Sequence, residues 1–78
     1  MPISNPAINN PRSGSDQGLA QTEHEVSFEG FFYSPPHVLI TPFGEYDVWV
    51  ASVDTDGFTW NNNKTSGRAT IHWIADMS

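Results

Sequence analysis

The chain has 78 residues, no cysteine, and nine acidic side chains against three basic ones, for a formal charge of −6. That length allows one domain at most, and disulfides are excluded as its support. The acidic balance argues against nucleic acid or an anionic membrane surface as partner, since both are gripped by Lys and Arg.

In chain order, residues 1–22 come first, with Pro2, Pro6, Pro11, Gly14 and Gly18 and no aromatic side chain. So little apolar surface does not offset the entropy of ordering a chain. The composition therefore predicts an extended Pro/Asn-rich arm over residues 1–22 and a folded domain over residues 23–78. Ile3, Ile8 and Leu19 are the side chains with which such an arm would anchor itself on a neighbour.

Every aromatic residue lies between Phe28 and Trp73. Val26 and Phe28 alternate with Ser27 and Glu29, which predicts a strand within Glu23–Phe32. Ser34-Pro35-Pro36 ends it, because neither proline can donate to a ladder. His37–Pro42 is a second predicted strand, closed by a turn at Gly44, and Tyr46–Val53 is a third. Asp54-Thr55-Asp56-Gly57 reads as a hairpin turn in which the glycine supplies a positive φ. It does not continue into a calcium loop, for lack of further ligands at the required spacing. Phe58–Asn61 and Arg68–Met77 are the last two strands, joined by the polar run Asn61–Gly67.

Short strands, turn signals every ten or so residues and no helical period predict an all-β chain: a small antiparallel β-sandwich of five to six strands. Alternation assigns Val26, Phe28, Val38, Ile40, Trp49, Ala51, Val53, Phe58, Trp60, Ile71, Trp73 and Ala75 to the core. Leu39, Val48, Val50 and Ile74 then fall on the opposite faces, and a strand apolar on both faces is buried on both. A domain this small buries only about 60% of the surface its unfolded chain exposes. With disulfides and zinc spacing absent, oligomerisation is the support left to it. The predicted interface is Leu39, Val48, Val50, His72 and Ile74.

Catalysis needs a nucleophile, a base and an orienting acid together, and no such motif surrounds His24, His37 or His72. The sequence thus predicts a binding or assembly module, not an enzyme, with no cofactor. Tyr33 and Tyr46, beside turns, and the short polar groups of Asp47, Asn61, Asn62 and Asn63 are the candidate ligand contacts, suited to hydroxyl recognition. No apolar run is long enough to span a bilayer, and the N-terminus lacks a signal pattern, so membrane insertion is not expected. The start at Met1 and the strand-like end lead us to expect a complete small gene product.

Three runs carry a resemblance. Ser34-Pro35-Pro36-His37-Val38-Leu39-Ile40-Thr41-Pro42 resembles the second strand of H-type lectin-like domains found on bacteriophage tail fibres and other virion proteins. Trp49 to Trp60 is similar to the central hairpin of those domains, and Ala69-Thr70-Ile71-His72-Trp73-Ile74-Ala75 to their closing strand. The runs occur in the family's order across residues 26–76. The resemblance implies a six-stranded antiparallel sandwich assembled as a homotrimer about a threefold axis, where three His72 side chains would be the one candidate metal or anion site. It also implies a bacteriophage virion structural protein: a knob on the capsid or tail surface, held to other virion proteins through residues 1–22. Lacking a shaft, it would serve as a decoration, cement or spike protein or a short fibre. The alternative is a carbohydrate-binding adhesin that contacts host glycans.

Overall fold

A computed structural model of the chain describes residues 7, 8 and 10–77. It contains six strands and, among the described residues, no helix: β1 (Arg12–Leu19), β2 (His24–Ser27), β3 (His37–Pro42), β4 (Val48–Val53), β5 (Gly57–Asn62) and β6 (Arg68–Asp76). They form two three-stranded antiparallel sheets, ordered β1-β6-β3 and β2-β5-β4. The chain is all-β, with the layout of a small β-sandwich.

Alternation in the two central strands builds the core between the sheets. In β6, Ala69, Ile71, Trp73 and Ala75 are buried while His72 and Ile74 face out. In β5, Phe58, Trp60 and Asn62 are buried and Thr59 and Asn61 lie on the other face. The rings of Phe28, Phe58 and Trp73 meet with centroids 5.6–5.9 Å apart, tying one sheet to the other. Aromatic pairs at such distances add about 0.5–1.5 kcal/mol each beyond the area they bury.

Residues 12–19, assigned by composition to an arm, form a strand instead. Each pairs with a residue of β6, from Arg12 opposite Ala75 to Leu19 opposite Arg68. This strand brings no apolar side chain to the core, which is why composition hides it. Its inward positions are Gly14, Asp16 and Gly18, and rings from other strands lie against them. A Cβ at Gly14 would stand 3.2 Å from the Trp73 ring, and one at Gly18 3.3 Å from Trp60. The strand thus sits inside the predicted boundary at residue 22. Ile8, expected to dock on a neighbour, is 3% exposed in the core of its own chain, and its N–H donates to the Phe31 carbonyl at 2.7 Å. Leu19 is exposed, and Ile3 lies outside the described residues.

β4 faces the opposite way from the prediction along most of its length. Val48 and Val50 pack against the core, whereas Trp49 and Ala51 are exposed. The pairing with β5 shifts register between Val50 and Ser52, leaving Ala51 as a bulge. A bulge resets alternation by one residue, so Val53 returns to the core side. Val48 and Val50 are covered by their own chain and need no second subunit. Gly57 also has a different role from the one expected: among the described glycines only Gly67 has a positive φ. At Gly57 a side chain is excluded by close approach, since its Cβ would fall 2.4 Å from the Val26 carbonyl oxygen.

Candidate ligand and assembly surfaces

The predicted ligand residues separate into three places. Tyr46, Asp47 and Asn63 come together with Gly44, Glu45, Lys64 and Thr65 around an open polar depression of about 780 Å³ at one end of the sandwich. Most of their polar groups are already engaged. The Asp47 N–H donates to Asn63 Oδ1 at 2.8 Å, the Asn63 N–H to the Asp47 carbonyl at 3.1 Å, and Asn63 Nδ2 to Asp47 Oδ2 at 3.2 Å. The Tyr46 hydroxyl donates to the Thr70 carbonyl and accepts the Thr70 N–H, both at 2.8 Å. Lys64 Nζ stands 5.7 Å from the centre of the Tyr46 ring. The arrangement fastens the two loops to the sheet ends and leaves Glu45 and Lys64 as its open charges.

Asn62 points inward and bonds to backbone on three sides, a structural residue by its geometry. Tyr33 stands alone on the loop after β2, edge-on to Phe31 at 5.6 Å and away from both depressions. Asn61 lies on the outer face of the β2-β5-β4 sheet, opposite Trp49. There it joins a second, shallower depression of about 320 Å³ lined by Gln21, Trp49, Asn61, Asn62 and Asn63. Trp49 is 46% exposed and belongs to this surface, not to the core. No charged side chain lines it. An aromatic plane ringed by carboxamides is chemically suited to a neutral, hydroxyl-rich ligand. The signal for Trp49 was its two valine neighbours, which could fill the core face in its place.

The outer face of the β1-β6-β3 sheet is different. Leu39 is 72% exposed and lies directly opposite Ile74, itself 42% exposed; the next pair along is Thr41 with exposed His72. Three members of the predicted interface, Leu39, His72 and Ile74, therefore share one face.

Sequence reasoning missed a buried-side network. Asp16 Oδ2 accepts the Trp60 Nε1–H at 2.9 Å and lies 2.6 Å from His24 Nδ1. A carboxylate beside an imidazole is half of a hydrolytic arrangement, but no hydroxyl hydrogen-bonds to His24 among the described residues. The network joins β1, β2 and β5. Among the described residues no three His, Cys, Asp or Glu side chains gather as a metal set.

Fold and surfaces together define a small all-β domain with two unlike outer faces, one apolar at its centre and one aromatic and amide-rich. No family model, no curated protein and no solved structure matches the chain.

Proposed function

We propose that the protein is a bacteriophage virion structural protein, an H-type lectin-like knob that assembles as a homotrimer and is held to the capsid or tail by the residues ahead of β1. The observation that carries self-assembly is the Leu39–Ile74 pair, two large apolar side chains set against each other on an open sheet face. The three resembling runs and the six antiparallel strands in two sheets support the choice of family. Light scattering should give the mass of three chains, or a multiple of three. Leu39→Asp should reduce the particle to a third of its native number of chains while leaving the far-ultraviolet circular dichroism unchanged, because residue 39 is outside the core. A native protein whose chain number is not divisible by three overturns the knob.

A second reading, the glycan-binding adhesin, is favoured by the Trp49 surface. Neutral sugars stack on an aromatic plane and hydrogen-bond to amides, which Gln21 and Asn61 provide beside Trp49. Trp49→Ala should weaken binding to any glycan found on an array by at least tenfold, about 1.4 kcal/mol, without lowering stability. An array with no hits removes this reading and leaves the knob untouched.

A further inference from the structure

A sandwich of two three-stranded sheets has four open strand edges, and an open edge invites pairing with another chain unless something blunts it. Three of the four are blunted. β3 is entered from Pro35-Pro36 and ends on Pro42, β4 carries the bulge at Ala51, and β2 is only four residues long. β1, although it too is entered from a proline, Pro11, has no bulge, no closing proline and twice the length of β2. It runs for eight residues without proline or lysine and keeps unbroken register with β6 over all eight. Along Arg12–Gly18, the backbone groups on the side away from β6 have no hydrogen-bond partner among the described residues.

We propose that β1 is a self-pairing edge, joining two copies of this chain antiparallel about a twofold axis at Gly14. The occupant is identified by charge. Arg12 and Asp16 lie on the same face of β1, two positions either side of Gly14, so antiparallel pairing about Gly14 sets Arg12 of each chain opposite Asp16 of the other. Arg12 is the sole Lys or Arg in the first half of the sequence and makes no ion pair among the described residues. Asp16 uses Oδ2 for Trp60 and His24, and its Oδ1 has no partner among the described residues. Cross-strand pairs of opposite charge stabilise a ladder, and this register supplies two of them. On the other face, Ser13 meets Ser15, side chains too small to obstruct. At the axis itself two glycines face each other. The result is one continuous six-stranded sheet, β3-β6-β1-β1-β6-β3, running through both copies.

This pairing is independent of the trimer. It uses an edge, whereas the trimer uses a face, and Leu39→Asp leaves it intact. Light scattering of the native chain should give an even number of chains: two if the faces do not assemble, six if they do. Arg12→Glu, which places like charges opposite one another, should halve that number and leave the melting temperature within a degree or two. An odd native number, or an even one unaffected by Arg12→Glu, overturns the proposal. The absence of cysteine gives a second measurement. When Ser13→Cys and Ser15→Cys chains are mixed and oxidised, the 13–15 heterodimer should exceed the two homodimers beyond the statistical 2:1:1. A statistical mixture overturns the register.

Discussion

Trp60→Ala should lower the stability of the domain by about 3–5 kcal/mol. Trp60 has no exposed surface and is the largest fully buried side chain in the described chain. Large-to-small changes at aromatic core positions cost about 3–5 kcal/mol. A chain of this length has a total stability of roughly 4–12 kcal/mol, so the loss takes from about a quarter to all of it. The effect extends beyond volume. The indole N–H donates to Asp16, the His24 ring stands edge-on with its centroid 6.1 Å away, and Gly18 lies against the six-membered ring. Removing the indole therefore loosens β1 and β2 together with β5. Trp60→Phe separates the parts: it keeps most of the packing and loses the donor, for an expected cost of about 1–3 kcal/mol. Urea denaturation followed by circular dichroism measures both variants. A Trp60→Ala protein within 1 kcal/mol of the native one would mean that this ring does not organise the core.

The fold class was legible because β5 and β6 alternate without interruption: Phe58 and Trp60, then Ile71, Trp73 and Ala75, could face only one way. Two features were not legible, each for a definite reason. β1 carries its inward face on Gly14, Asp16 and Gly18, residues that hydropathy reads as loop, and receives its apolar cover from Trp60 and Trp73. Its strand character lies in partners more than forty residues away in sequence. In β4 both faces are apolar, so alternation alone could not choose between Val48/Val50 and Trp49/Ala51, and a bulge then returned Val53 to the core. Aromaticity favoured Trp49 as core; the space was filled by the two valines. Of the ligand candidates, Tyr46, Asp47 and Asn63 lie around one depression because the Gly44 turn and the Asn61–Gly67 loop meet at the same end of the sandwich, a proximity that the sequence does not state. Asn62 belongs inside because it continues the inward row of Phe58 and Trp60, a row that a polar-loop reading cut short at Asn61.

The two proposed activities would use separate surfaces, one backed by β6 and the other by β5. Changes on Leu39 or Ile74 act on the outer side of β6 and should leave the Trp49 surface intact, since Ile71 and Trp73 separate the two. The acidic charge of −6 is also compatible with self-assembly, because the centre of the apolar face is Leu39 and Ile74 and carries no carboxylate. Repulsion among copies then falls at the rims, where ionic strength screens it within about 10 Å at 0.1 M salt.

Asn62→Ala should cost about 2–4 kcal/mol, more than any other polar-to-alanine change at this end of the sandwich. The side chain is 2% exposed. Its Oδ1 accepts the Gln21 N–H at 3.0 Å and the Lys64 N–H at 3.2 Å, and its Nδ2 donates to the Leu19 carbonyl at 3.2 Å. One amide thus closes the β1–β2 turn and the β5–β6 loop onto the end of β5. Gln21 holds φ at 59°, a left-handed conformation that a non-glycine residue adopts at a cost. The bond to Asn62 helps to offset it. Alanine leaves the Gln21 and Lys64 N–H groups without partners, while the Leu19 carbonyl keeps its bonds from the Thr22 N–H and hydroxyl; each orphaned donor costs about 1–3 kcal/mol less whatever water restores. Asn62→Asp keeps the two bonds that Oδ1 accepts but sets a second oxygen against the Leu19 carbonyl and buries a charge, so it should cost as much as alanine while leaving the Gln21 and Lys64 amides bonded. Amide hydrogen exchange supplies the local test: the Gln21 and Lys64 amides should exchange faster in Asn62→Ala, and near the native rate in Asn62→Asp. Equal exchange in the two variants would mean that Oδ1 does not hold the loops. Because Gln21 and Asn63 flank Trp49, the same alanine variant should also disorder the depression around that ring and lower any saccharide affinity it has, although Asn62 itself presents no free polar group to a ligand.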